Sequence, residues 1–205
     1  MIPTLLQPGS TYEPSFDEES HTYTTKGGVI LPSVTQILHP LSCEIYASVD
    51  KEYLRQRANF GSAVHMCTEL DDTDDLDIDS VDAEWLPRLE AWRDFKRSFE
   101  VEMLLIEKKL ACSTFAGTID RVAVIDGEKW VIDIKTTSTI HPMAGIQLAA
   151  YEALAYDFLN EKKHMKRAVV QLKEDGYVFK KFTNDMDYLA FASLLNIQNW
   201  KTLNA

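Results

Sequence analysis

The chain has 205 residues, and 45% of them are hydrophobic, which suits one compact domain with a substantial core. No apolar run approaches the roughly 20 residues of a membrane-spanning helix, and the first residues lack the pattern of a secretory signal. Three scattered cysteines exclude a four-cysteine iron–sulfur cluster and a zinc knuckle. We therefore expect one domain over residues 1–205, with an N-terminal extension of about residues 1–45, in a cytoplasmic protein without a membrane partner.

The net charge of −11 is concentrated in one acidic segment. Residues 71–84 contain eight acidic residues and no Lys or Arg, and without them the net charge is −3. Such a run usually forms a solvated loop, so we predict a loop here, with a regulatory or partner-binding role as the alternative. Because a site can be locally positive within an acidic protein, the net charge neither supports nor excludes nucleic-acid binding.

In chain order, the first predicted elements are a hairpin and a helix start. β-branched and aromatic residues flank Gly27 and Gly28, which predicts two short strands over residues 21–32. Ser33 and Gln36 then have the spacing of a capping box, a pair that stabilises the first turn of a helix.

Two helices are expected on either side of the acidic segment, over residues 48–70 and 85–99. In the second, the apolar residues Leu89, Trp92 and Phe95 recur at intervals of three, which predicts one buried helix face.

The remaining chain alternates strand-like and helix-like runs. Three runs rich in Ile and Val cover residues 103–137, and Asp126-Gly127 between the second and third is a strong signal for a two-residue hairpin turn. A helix from about Pro142, a strand pair with a turn at Asp175-Gly176 and a last helix over residues 185–200 follow. This order predicts an α/β domain with a central mixed β-sheet flanked by helices.

The hairpin turn brings acidic residues together. If Ile125 faces Glu128 across the turn, Asp120 faces Asp133, with Cβ atoms roughly 4.5–5.5 Å apart. Two carboxylates this close repel each other unless a cation lies between them, and oxygen ligands suit Mg²⁺ or Mn²⁺. Lys135 lies on the same face as Asp133, and the combination suits metal-assisted phosphodiester hydrolysis. A plain surface ion pair is the alternative.

Two helical pairs add further candidates. His65 and Glu69 lie one turn apart on the long helix, and Gln147 and Tyr151 have the same spacing on the helix after Pro142. Taken singly, each pair is better interpreted as packed or surface side chains.

In order, four short motifs resemble the series found in PD-(D/E)XK nucleases, in particular their RecB-like branch. They are Gly61-x-x-x-His65, Gly117-Thr118-Ile119-Asp120, Asp133-Ile134-Lys135 and Gln147-x-x-x-Tyr151. The segment LPSVTQIL at residues 31–38 is similar to the opening segment of phage-encoded members and of the mitochondrial genome maintenance exonuclease. The resemblance covers residues 23–182, most of the chain.

The resemblance implies an αβββαβ restriction-endonuclease-like core and a metal-dependent DNA exonuclease. It makes His65, Asp120, Asp133 and the backbone carbonyl of Ile134 ligands of Mg²⁺ or Mn²⁺, and Lys135 the catalytic lysine. It also implies supporting roles, with Glu107 as an acid that assists the metal site, Gln147 and Tyr151 as contacts of the lysine and the nucleic acid, and Glu69 as a residue behind the ligands.

The implied partner is DNA that is single-stranded or has a free end, in phage or bacterial recombination, repair or processing, which leaves room for a recombination partner protein. A structure-specific endonuclease and a non-cutting DNA- or protein-binding module of the same fold are the alternatives. Candidate phosphate contacts are Arg55, Arg57, Arg121 and the basic residues of 162–167 and 180–181, with solvated surface as the other interpretation. Trp85 and Trp92 are expected in the core rather than stacked on unpaired bases.

Overall fold

A computed structural model describes residues 10–204, so the first nine residues of the expected N-terminal extension lie outside the described residues. Its helices and strands, in chain order, are β1 (Ser15–Asp17), β2 (Thr22–Thr24), β3 (Ile30–Leu31), α1 (Val34–Ile45), α2 (Lys51–Asp72), a 3₁₀ turn (Ile78–Ser80), α3 (Leu86–Ser98), β4 (Glu102–Ala111), β5 (Ala116–Ile125), β6 (Glu128–Lys135), α4 (Met143–Phe158), β7 (Lys166–Lys173), β8 (Gly176–Phe182) and α5 (Met186–Leu203). Within residues 10–204, no helix has both the length and the apolar character needed to cross a membrane.

A five-stranded mixed sheet forms the centre of the protein, in the order β4-β5-β6-β7-β8. Neighbouring strands are antiparallel except β6 and β7, which are parallel and are joined through α4. Helices α1, α4 and α5 cover one face, and α2 and α3 pack on the other. The predicted α/β class with a mixed sheet flanked by helices is confirmed, and the order helix, three strands, helix, strand is present.

Local sequence signals explain several element ends. Ser33 and Gln36 form the predicted capping box, in which the Gln36 backbone N–H donates to Ser33 Oγ (3.1 Å) and the Ser33 N–H to Gln36 Oε1 (2.9 Å). Asp126 and Gly127 both have positive φ angles, 51° and 71°, and Ile125 pairs with Glu128. Those angles are what a two-residue turn needs to match the strand twist, so this turn is confirmed.

The turn between β7 and β8 lies one residue earlier than predicted. Lys173 pairs with Gly176, so the two turn residues are Glu174 and Asp175. Gly176 begins β8 with a φ of 131°, which side-chain-bearing residues rarely adopt. The glycine therefore serves the start of the strand rather than the turn.

The prediction of a solvated acidic loop over residues 71–84 is wrong for the first two of these residues. Asp71 and Asp72 form the last turn of α2, and their side chains are 10% and 0% exposed. Lys96 of α3 forms an ion pair with both, at 2.9 and 2.6 Å. Cations distant in sequence neutralise these carboxylates, which is why they lie in a buried helix end rather than in solvent.

Candidate metal centre

The β5–β6 hairpin has the predicted register but opens just before the two aspartates. Pairing runs from Ile125–Glu128 to Arg121–Ile132 and stops there. At the next position along the strands, the Asp120 carboxylate accepts a hydrogen bond from the Ile134 backbone N–H (2.7 Å). This contact replaces the direct pairing that was predicted between Asp120 and Asp133. Both aspartates thus lie where the strands separate, and they still interact electrostatically.

Strand β4 supplies a third acid through a local backbone irregularity. Ile106 pairs with Arg121 and Lys108 with Ile119, but Glu107 between them makes no pair with Asp120. Glu107 has a φ of 41°, a left-handed value that is strained for a residue with a side chain. Such strain persists where the surroundings require it, often at functional sites.

Three side chains from three elements converge at this opening. His65 Nδ1 of α2 lies 3.3 Å from Glu107 Oε1 and 3.7 Å from Asp120 Oδ2. His65 Nε2 donates to the Ile134 carbonyl at 3.0 Å. One ligand atom from each of His65, Glu107 and Asp120 lies within 4.8 Å of the other two. Glu107 is therefore a full member of this cluster rather than an accessory acid.

Asp133 lies next to the cluster instead of within it. Its Oδ1 accepts from Lys135 Nζ at 2.9 Å, and its Oδ2 is buried without a hydrogen-bond partner among the described residues. A buried carboxylate oxygen without a partner is costly, and a cation would relieve that cost.

Burial and the interactions between neighbouring charged groups shift the pKa values in this cluster. Burial lowers the pKa of His65, but the carboxylates of Asp120 and Glu107 outweigh it and raise the pKa to about 9. Burial raises the pKa of Asp133 to about 6, Asp120 adds to the rise, and the ammonium of Lys135 opposes it. The same burial raises the pKa of Asp120. The carboxylates thus favour a positive neighbour.

The donor set fits a small divalent cation. Neighbouring ligands of an octahedral Mg²⁺ at about 2.1 Å lie about 3.0 Å apart. The separations of 3.3 and 3.7 Å from His65 Nδ1 to the oxygens of Glu107 and Asp120 are close to that value. Carboxylate and carbonyl oxygens with one imidazole suit Mg²⁺ or Mn²⁺ rather than a thiolate-bound metal.

Lys135 is held by a chain of polar contacts that links two of the motifs. Its Nζ lies 2.9 Å from Asp133 Oδ1 and 3.3 Å from Gln147 Oε1. The Gln147 amide in turn donates to the hydroxyl of the buried Tyr151 (3.1 Å). Burial lowers the pKa of Lys135, but Asp133 and Asp120 outweigh it, so the ammonium stays charged.

Gly117 explains why its motif contains a glycine. A Cβ at this position would lie 2.8 Å from Tyr151 Cε1, well inside van der Waals contact. The absence of a side chain lets β5 approach the Tyr151 ring closely, which links the Gly117–Asp120 motif to α4.

Arg121 is the site residue that sequence reasoning misassigned. Its side chain is 0% exposed, so the interpretation as a phosphate contact is wrong. The guanidinium donates to Asp72 Oδ2 (2.7 Å), Glu107 Oε1 (2.9 Å), the Asp120 carbonyl (2.7 Å) and Thr68 Oγ1 (3.1 Å). The available signal was alternation, since Arg121 shares a strand face with apolar residues and a buried arginine requires acidic partners.

Thr68, rather than Glu69, connects the end of α2 to the cluster. Its hydroxyl donates to the His65 carbonyl (2.9 Å) and accepts from Arg121. Within residues 10–204, no side-chain hydrogen bond or ion pair joins Glu69 to the cluster.

The comparisons with known proteins are sparse. No family model matches the chain, and no curated protein is significantly similar to it. Among solved structures, the crystal structure of SSO0001 is similar at 16% sequence identity, over 80% of this chain and 81% of that chain, with a TM-score of 0.31. A likeness at this level carries no conclusion about fold or function.

Proposed function

We propose that the protein is a Mg²⁺- or Mn²⁺-dependent deoxyribonuclease that removes nucleotides from DNA ends. The observation that carries this proposal is the convergence of His65, Glu107 and Asp120 beside the Asp133–Lys135 pair. A set of carboxylates next to a held lysine is what metal-assisted phosphodiester hydrolysis needs. The resemblance of the four sequence motifs to RecB-like nucleases supports the same assignment. Such an activity suits DNA recombination, repair or processing.

The proposed roles of the residues follow from their contacts. His65, Glu107, Asp120 and the Ile134 carbonyl would hold the cation, and Asp133 offers its unpartnered oxygen. A bound divalent cation activates water and neutralises charge on the phosphate.

The role of Lys135 follows from its position. Its ammonium carries positive charge beside the acids, where it orients the attacking water and offsets negative charge that develops on the phosphoryl oxygens. Gln147 and Tyr151 fix the lysine side chain, so that little reorganisation is needed during the reaction.

A cleavage assay with matched aspartate variants tests the proposal. End-labelled linear DNA, single-stranded and duplex, and circular DNA are incubated with Mg²⁺, Mn²⁺ or EDTA. Asp120→Asn removes a ligand charge, whereas Asp126→Asn changes an aspartate in the hairpin turn, where asparagine tolerates the φ of 51°.

We expect cation-dependent loss of linear DNA, at least about 100-fold slower in Asp120→Asn and unchanged in Asp126→Asn. Circular DNA is spared by an exonuclease, so its cleavage would instead identify an endonuclease. Full activity in Asp120→Asn, or no cleavage of any substrate with either cation, would overturn the proposal.

A further inference from the structure

A pocket beside the first half of α2 has no role in the cleavage chemistry described above. Its volume of about 480 Å³ falls within the roughly 300–1,000 Å³ of small-molecule sites. Three aromatic rings, two amides, one cation and one carboxylate line it: Tyr53, Phe60, Trp85, Gln56, Asn59, Arg57 and Glu84.

The lining selects an uncharged aromatic group over a phosphate. Arg57 and Glu84 carry opposite charges, and Arg88, whose guanidinium lies 5.3 Å from the Phe60 ring, is paired with Glu174 (3.1 Å). The pocket therefore does not concentrate the positive charge that a phosphate requires. Phe60 is buried with Arg57 and Arg88 over its ring, so Tyr53 and Trp85 are the rings on which a base can stack. The amides and the carboxylate match the donors and acceptors on a base edge. Tyr53 is 55% exposed, which leaves its ring accessible for stacking.

The pocket is joined to the metal centre by one row of α2. Arg57, Gly61 and His65 follow one another at four-residue intervals, and each meets the end of β6. The Arg57 guanidinium donates to the Thr136 carbonyl (3.2 Å), a Cβ on Gly61 would lie 3.5 Å from Thr136 Oγ1, and His65 donates to the Ile134 carbonyl (3.0 Å). Arg57 at the pocket and His65 in the cluster lie on this row, about 12 Å apart along the helix axis. A nucleotide close to the cleaved phosphate of a bound strand therefore comes within reach of the pocket.

We propose that this pocket receives the base of an unpaired nucleotide near the cleaved phosphate. The inference rests on the proposed nuclease function. A base in a duplex would have to leave the stack to enter the pocket, at a cost that an unpaired base does not bear.

Abasic substitution in a single-stranded oligonucleotide tests this directly. Affinity is measured by fluorescence anisotropy with Lys135→Ala protein in Mg²⁺, because this variant is expected to cut the strand at least about 100-fold more slowly. A 12-nucleotide strand is compared with strands of equal length and charge in which each base in turn is absent. We expect one abasic position near the bound end to weaken binding by about 5- to 100-fold, the range for one stacked base.

Variants of the pocket residues show whether the effect of the missing base arises at this pocket. Adding Tyr53→Ala removes the exposed ring, and adding Trp85→Phe reduces the stacking surface with little change in volume. Either should shrink the difference between intact and abasic strands. The matched control Trp200→Ala, at a tryptophan on α5 that is 65% exposed, should leave the difference unchanged.

The outcomes separate this proposal from the nuclease proposal. The pocket proposal is overturned if all strands bind equally well, or if Tyr53→Ala and Trp85→Phe leave the effect of the missing base unchanged. In either case, cleavage by the wild-type protein would still support the nuclease proposal. Base-dependent binding that these variants remove supports the pocket even if the wild-type protein cuts no DNA, a result that would overturn the nuclease.

Discussion

Replacing Arg121 by methionine removes the buried cation that joins α2, β4 and β5. Methionine keeps an unbranched apolar stem and loses every donor. Asp72, whose side chain is 0% exposed, then retains Lys96 Nζ at 2.6 Å and the Trp92 indole N–H at 2.9 Å. Among residues 10–204, Glu107 then keeps a side-chain contact with His65 alone. The carboxylates of Asp72 and Glu107 thus lose the cation that they share in the wild-type protein.

The expected cost follows from this loss. Breaking a buried ion pair by removing one partner costs about 3–5 kcal/mol, because the other charge stays buried. Since Lys96 still neutralises Asp72, we expect the lower end, about 3 kcal/mol. In a domain of this size each kcal/mol corresponds to a Tm change of about 2–4 °C, so Tm should fall by about 6–12 °C.

Urea unfolding followed by circular dichroism measures this change. Arg55→Met is the control, since its ion pair with Glu52 is on the surface, with side chains 68% and 54% exposed, and we expect no resolvable change. The double variant Arg121→Met/Asp72→Asn should recover part of the loss, because the poorly compensated charge is gone. A loss below about 1 kcal/mol in Arg121→Met, or no recovery in the double variant, would refute this account of the network.

Four further predictions concern other parts of the protein. Gly117→Ala should destabilise the fold by about 1–3 kcal/mol in urea unfolding, because the added Cβ meets the Tyr151 ring. Burial raises the pKa of Asp71, but the cations of α3 outweigh it and lower the pKa. Its stabilisation is therefore complete above the unfolded pKa of about 4 and is lost as pH falls through the folded value, so Asp71→Asn should lose less stability than wild type between pH 7 and pH 2. Mg²⁺ or Mn²⁺ at 100 times its Kd should stabilise the wild type by about 2.7 kcal/mol in thermal unfolding, and Asp120→Asn should lose this effect. Gln147→Leu should slow cleavage about 10- to 100-fold while thermal unfolding stays nearly unchanged.

Each of these has an outcome that contradicts it. A Gly117→Ala protein as stable as wild type would mean that the ring moves aside without cost. An unchanged acid sensitivity in Asp71→Asn would show that other groups dominate. Equal cation stabilisation of Asp120→Asn would place the binding elsewhere, and normal cleavage by Gln147→Leu would remove the glutamine from the support of Lys135.

Much of the geometry of the cluster could be predicted, because a short turn sets the register between β5 and β6. Asp126-Gly127 specifies a two-residue hairpin, and this alone brings Asp120 and Asp133 to the same end of two neighbouring strands. The period of two then puts Lys135 with Asp133, and the four-residue spacing on α4 puts Gln147 near Tyr151. These are local rules acting over short stretches.

The parts that residue patterns alone could not predict depend on contacts between distant segments. The left-handed φ of Glu107 breaks the regular strand pattern, so periodicity does not place this acid with His65 and Asp120, and its expected role came from the family resemblance alone. Asp72 belongs to an acidic run that looks solvated until Lys96 and Arg121 pack against it. Charge partners from other elements decide burial here, and a linear sequence does not display them.

The most direct measurement compares two lysines of the same strand in a single-turnover cleavage assay with Mn²⁺ and end-labelled linear DNA. Lys135 contacts Asp133 and Gln147 in the cluster, whereas Lys129 pairs with Glu161 at the far end of β6 and is 40% exposed. We predict that Lys135→Ala lowers the cleavage rate by about 100-fold or more and that Lys129→Ala retains it. Equal rates in the two variants would contradict a nuclease centre at His65, Glu107, Asp120 and Asp133.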